Sequence, residues 1–327
     1  MSRYWLWTDR AFVNQGGNLR AVHPFEDGYG KNQTGTIPQQ CLRYFMPEHP
    51  ANAKIQELKR FICERFPEVL GDNESAKNSL SIVGKVDARV AYYAIRSGLE
   101  IVFKIAGHNI PNENIVRQQE GINTFIDPDT IASRLEEGKD LFRKFFGAES
   151  AGMLTDVSID NALAEVAVHE LGHNIGDKGV FKSNPGGVQA VEEWKATATS
   201  FVLQSLKDKD QLSDEYLRGT FLSFLCQTFR YAQRREERSQ APYFGADKIF
   251  TKVDQECGLV VKGEEGKWGL DLTREKLLAY ADAIKNKWLG LQKIYPSADQ
   301  GEMDKFIEEN VVNTPFLEGV IAFVDKQ

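Results

Sequence analysis

Residues 162–176 read A-L-A-E-V-A-V-H-E-L-G-H-N-I-G, and within them His169, Glu170 and His173 form H-E-x-x-H. Apolar residues fill 162–168, Asp160 stands where an N-cap belongs, and Gly176 suits the left-handed residue after a last turn. The stretch predicts a helix. Positions four apart on a helix lie one above the other, so both imidazoles leave the same face. Two neutral histidines so placed can hold one zinc ion, with Glu170 turned toward a water on the metal instead of the metal itself.

A third ligand is required. After Gly176 comes a polar loop, D-K-G-V-F-K-S-N-P-G-G, and then a second helical stretch from about Val188 to Leu206. It carries Glu192 and Glu193, the latter twenty residues beyond His173. A helix, a loop and an antiparallel helix with a facing glutamate resembles the thermolysin-like glutamate zincins. The plainer alternative makes both histidines ordinary packed or surface residues and Glu170 a solvated charge, and it leaves the spaced glutamate as coincidence.

With 327 residues the chain can bury a large core, as one domain or two lobes. A 42% hydrophobic, 27% charged composition is that of a soluble globular protein, and a net charge of −7 argues against nucleic acid or an anionic membrane as partner. The cysteines (Cys41, Cys63, Cys226, Cys257) include no C-x-x-C pair and read as thiols of a reducing compartment. M-S-R-Y-W-L-W-T-D-R lacks the apolar core of a signal peptide, so the cytoplasm is expected.

Residues 1–50 look turn-rich, with H-P-F-E-D-G-Y-G and Q-T-G-T-I-P between short strands and Y-W-L-W as a strand or docking segment. Ala51–Leu70 has helical spacing. Strands are expected from Ser79 through Ile95 and over Leu99–Gly107, with a turn at Gly98. A loop at 108–121 leads into helix, and Asp127–Phe146 is helical. Beyond the 160–206 helices, Glu215–Arg238 forms a helix whose R-R-E-E-R end is a solvated charge run, A-P-Y-F-G a loop, and Lys248–Glu256 a short helix. A hairpin turns at G-E-E-G, helices follow at 273–295 and 299–311, and F-L-E-G-V-I-A-F-V is a last apolar segment. The expected class is α+β, mainly helical, with a mixed α/β portion over 1–107 and a helical metal-binding portion over 108–327.

Four stretches in order resemble the dipeptidyl peptidase III family of zinc metallopeptidases. G-H-N-I-P-N-E-N-I-V-R-Q-Q-E-G (107–121) is similar to its G-I-N-I-P-N-Y-D-x-x-R-Q-x-E-G. V-A-V-H-E-L-G-H (166–173) resembles its zinc helix, E-E-W-K-A-T (192–197) its E-E-C-R-A-E, and residues 271–295 its helical end. The resemblance implies His169, His173 and Glu193 as zinc ligands and Glu170 as catalytic base. It also implies Asn109 and Asn112 as substrate-holding residues, and the strand at 101–107 as an edge that pairs with peptide backbone. The asparagines have a plainer reading as caps of the N-I-P-N turn.

The departures matter as much. This chain has the five-residue H-E-x-x-H where the family has six, and Thr197 where the family has an acidic residue that orients a ligand histidine. Pro242 and Ala246 stand where the family has a substrate-binding histidine and arginine, and no counterpart of its long N-terminal lobe is seen. Dipeptidyl specificity is therefore not expected. Tyr243, His108 and Tyr231, in that order, are candidates to meet a developing oxyanion, and His108 is also a candidate substrate contact. The expectation is a zinc-dependent hydrolase of peptide or small amide bonds. A zinc enzyme with a non-peptide substrate, or a non-catalytic zinc-binding protein, stays open, and oligomeric state is not legible.

Overall fold

The computed structural model describes residues 3–22, 41–71, 74–95, 105–111, 114–147, 150, 152–176, 181, 184–263 and 266–327. In chain order the N-terminal part runs α1 (Arg3–Val13), β1 (Leu19–Val22), β2 (Cys41–Phe45), α2 (Ala51–Arg65), α3 (Pro67–Leu70), α4 (Glu74–Gly84), β3 (Val86–Ile95), β4 (Gly107–Ile110), α5 (Asn114–Gln119) and β5 (Ile122–Ile126). Helices follow as α6 (Pro128–Phe146), α7 (Ile159–Gly172), α8 (Pro185–Leu206), α9 (Asp214–Gln233) and α10 (Ala241–Cys257). The hairpin β6 (Val260–Lys262) and β7 (Trp268–Leu270) precedes α11 (Arg274–Ser297), α12 (Gln300–Asn310) and α13 (Pro315–Val324). The fold is α+β, mainly helical with a small N-terminal sheet, as expected.

Among the described residues the larger sheet has the order β1-β2-β3-β5-β4, with β3 and β5 parallel and the other pairs antiparallel. Its two faces follow from the period-2 alternation of strands. Phe45, Ala91, Ile110 and Phe125 face α1, where Phe12 joins them in a small separate core. Val86, Ala88, Val90, Ile122 and Ile126 face the main core with α2 and α7. Helix α7 thus lies between the sheet and α8, which in turn packs on α10 and α11. Both of its neighbours shape the site.

Local chemistry sets the helix ends. Asp127 caps α6 by accepting from the Thr130 amide at 2.8 Å, with Pro128 in the first turn. Ser158, not the expected Asp160, caps α7, accepting from the Asn161 amide at 3.1 Å. Gly176 takes the left-handed conformation expected of it, at φ 85°. No described helix is long and apolar enough to cross a membrane.

Several expectations are corrected. Residues 3–13 are helical: Asp9 and Phe12, one helical step apart, are both buried, and Phe12 packs on the sheet. S-L-S-I-V-G belongs to α4, where Ala76, Ser79 and Val83 bury one helical stripe, and only Val86–Ile95 is strand. The segment at 108–110 is strand, not loop, and the fully buried β5 was not anticipated. A-P-Y-F-G opens α10: Pro242 sits in the first turn, where its missing N–H costs nothing. Gly245 lets α10 close on α8, since a Cβ there would lie 2.5 Å from Ala190 Cβ. Helix α9 stops at Gln233, and the arginines beyond it pair across the fold, Arg234 with Glu137 and Arg235 with Asp325. Both expected loops at 23–30 and 33–38, the turn at Gly98, residues 99–104 of the second strand and the tip of G-E-E-G lie outside the described residues.

Candidate metal centre

Helices α7 and α8 meet almost backbone to backbone. A Cβ on Gly172 would lie 2.6 Å from Thr199 Oγ1 and 2.7 Å from the Ala196 carbonyl, so a side chain there would push the helices apart. At this approach His169 Nε2 and His173 Nε2 stand 3.0 Å apart, and Glu193 Oε2 lies 3.3 Å and 3.5 Å from them. Tetrahedral zinc with bonds of about 2.0–2.1 Å spaces its ligand atoms about 3.3 Å apart, so the triangle matches it. Among the described residues this His-His-Glu cluster is the group able to hold a metal ion. Glu193 Oε2 is buried, and the two imidazoles are the polar groups that meet it.

The electrostatics are those of a built donor set. Burial opposes charge on Glu193, but His173 and His169 outweigh it and hold the carboxyl well below its ordinary range. Burial likewise disfavours charge on His169, and Glu193, with a smaller contribution from Glu170, overcomes it and raises that imidazole. Thr197 holds the other ring nitrogen of His169, with Nδ1 and Oγ1 2.9 Å apart. Where the resembled family has an acid, this ring is thus held by a neutral hydroxyl.

Adjacent Glu192 is used differently. Its carboxylate accepts from Lys195 Nζ at 2.9 Å and from the Tyr295 hydroxyl, and Lys195 is completely buried. With both oxygens occupied, Glu192 is committed to this pairing, and helix phase turns Glu193 toward the two histidines.

Glu170 is buried and turns to the sheet, against Gly107 of β4. Asn109, on the same face of β4, donates its amide to the Glu170 carbonyl at 2.8 Å. Tyr243 is brought to the site: its ring centroid is 6.2 Å from that of His169, and Tyr231 stacks behind it at 5.1 Å. Burial pushes the Tyr231 phenol up. His108 is not brought there. Alternation along β4 turns it to the α1 face, where it is buried with Nδ1 3.0 Å from Arg43. Burial and then the Arg43 charge hold it well below 6.5, so it is a neutral core histidine. Asn112 lies outside the described residues.

Sequence reasoning missed Asn174 and Arg117. Asn174 also donates to the Glu170 carbonyl, at 3.0 Å, and accepts from buried Arg117. The signal was present: Asn174 directly follows the second histidine, and Arg117 sits in V-R-Q-Q-E-G.

The fold matches those of solved dipeptidyl peptidase III structures. The chain is similar to the dipeptidyl peptidase III of Caldithrix abyssi, with a TM-score of 0.72 and 15% identity over 98% of this chain and 61% of that one. It is also similar to dipeptidyl-peptidase III from Corallococcus sp. strain EGB, with a TM-score of 0.66 and 18% identity over 98% and 60%. At such identities the likeness is one of fold, and the chain spans about three fifths of the length of these structures. No protein-family model and no curated protein sequence matches the chain significantly.

Proposed function

We propose that this chain is a zinc-dependent hydrolase, a metallopeptidase that cleaves peptide or related amide bonds. The observation that carries the reading is the convergence of His169, His173 and Glu193 at ligand spacing, with Glu170 between the two histidines. His169, His173 and Glu193 would hold the ion, which would supply a Lewis acid and lower the pKa of a water toward neutrality. Glu170 accepts a proton from the attacking water and passes it to the leaving amine. Tyr243, its ring against His169, donates its phenol to the developing oxyanion. Strand β4, last in the sheet order among the described residues, would offer an edge on which an extended backbone can lie.

Pro242 and Ala246 open α10, and neither can grip the charged amino end of a peptide. The reading is therefore of a peptidase that does not require a free α-amino group. Its test is a zinc-loaded assay on peptide pairs of equal sequence, free and N-acetylated, with Glu170→Gln as control. Cleavage of both forms is expected, with zinc retained and turnover reduced roughly 10²–10⁴-fold in Glu170→Gln. Cleavage of the free form alone, releasing dipeptides, would overturn the specificity. Glu170-dependent turnover of non-peptide amides alone would replace the peptidase reading with that of a small-molecule hydrolase.

A further inference from the structure

We infer that β4 is a positioning strand for Glu170, gripping that residue by both its backbone and its side chain; the inference rests on the role proposed for Glu170 as base. The backbone grip arises from the way α7 ends. The carbonyls of a last helical turn lack ladder donors, and the Asn174 amide, the ordinary partner of the Glu170 carbonyl, bonds Leu171 instead at 3.0 Å. Two side-chain amides take its place, Asn109 Nδ2 at 2.8 Å and Asn174 Nδ2 at 3.0 Å. Each is itself fixed from behind. Buried Thr124 of β5, paired with Asn109 in the sheet register, donates its hydroxyl to Asn109 Oδ1, and Arg117 donates to Asn174 Oδ1.

The side-chain grip is Gly107, two residues before Asn109 and on the same face. A Cβ at Gly107 would lie 2.5 Å from Glu170 Oε1 and 2.8 Å from Glu170 Cγ. The base therefore rests on bare strand backbone, in room that only glycine leaves. A glutamate near the end of a helix otherwise has both a fraying backbone and a long rotating side chain, whereas a general base must stay within hydrogen-bond reach of its proton. The strand removes both freedoms. Asn109 is accordingly a positioning residue, and Gly107 is the seat of the carboxylate.

The test compares Gly107→Ala, Asn109→Ala, Thr124→Val and Thr124→Ser with wild type for zinc content, kcat, KM and melting temperature. Gly107→Ala pushes on the Glu170 side chain and also on Val166 Cγ1, 2.9 Å from the added Cβ, so its melting temperature reads that crowding separately. It should keep zinc and hold KM within about twofold while kcat falls on the order of 10²-fold. Asn109→Ala should show the same split, Thr124→Val a smaller one, and Thr124→Ser, which keeps the hydroxyl, should recover wild-type kcat. A rise in KM with kcat preserved would make Asn109 a substrate clamp and overturn the inference. Loss of zinc in proportion to activity would do the same. If wild type itself shows no turnover sensitive to Glu170→Gln, the functional reading fails separately. A crystal structure of Gly107→Ala then decides the grip: a carboxylate swung off β4 supports it, and one still in place overturns it.

Discussion

His169 and Glu170 are consecutive residues on α7, yet opposite sides of the molecule hold them. His169 faces α8, where Thr197 and Glu193 fix it within an all-helical contact. Glu170 faces the sheet, where Asn109 and Gly107 confine it. One helix thus joins the side proposed for the metal to the side proposed for the base, each built by a different region. The difference teaches that metal retention and turnover should separate cleanly on mutation.

The largest expected effect would break this comparison if it failed. His169→Ala or His173→Ala removes one of three ligands and should abolish zinc retention, as metal analysis of the purified protein would show; full occupancy in the double mutant would end the assignment. On α8, Glu193→Gln should weaken zinc retention, whereas Glu192→Gln should keep zinc and lower the melting temperature. Glu192 is half of a buried ion pair, and breaking such a pair costs about 3–5 kcal/mol. If Glu192 controlled metal content instead, the phase of α8 would be wrong by one residue.

A smaller effect is expected at Thr197. Removing the hydroxyl in Thr197→Val leaves His169 Nδ1 without that partner, and outer-support losses of this kind weaken metal affinity about 10–100-fold. A competitive zinc titration reads it, and an unchanged affinity would show that packing alone orients the ring.

The smallest effect concerns a third face of α7. Glu165, one turn before His169, is half-buried with its Oε1 covered, beside Ser223 and Thr220 of α9, and desolvation pushes its carboxyl up to about 8. Because the folded value stands above the ordinary 4.5, the stabilisation from the neutral acid is complete below 4.5 and lost as pH rises through about 8. Glu165→Gln should therefore gain on wild type in melting temperature between pH 5 and pH 9. Asp254, pushed up to about 7 by burial, shares that window, so the slope should shrink and not vanish. A wild-type difference constant across pH would show that Glu165 ionises freely in the fold.

The metal side of this comparison was legible in the sequence and the base side only in part. Ligands four apart on one helix and a glutamate one loop away are local patterns, and helical periodicity carries them. The seat of Glu170 is not local: Gly107 and Asn109 meet residue 170 only because β4 pairs β5 and the sheet packs on α7. Asn109 was noticed through a resemblance and assigned to substrate, and Gly107 was noticed without a role. His108 was misplaced for a related reason. A period of two turns it away from its neighbours on either side, and a segment read as loop has no period. β5 is buried along its whole length, so no alternation marked it as strand.

Gly172, the fourth residue of H-E-x-x-H, works as a calliper. Because its bare Cα lies against the Ala196 turn of α8, the gap between the two helices is set there, and Glu193 sits one turn earlier on the same rod. Any side chain at 172 would open the jaws and carry the third ligand away from the other two. A wider triangle suits cations with longer bonds, about 2.3–2.6 Å for calcium against about 2.0–2.1 Å for zinc. A preference for a small ion would thus be set at a residue with no side chain to touch it.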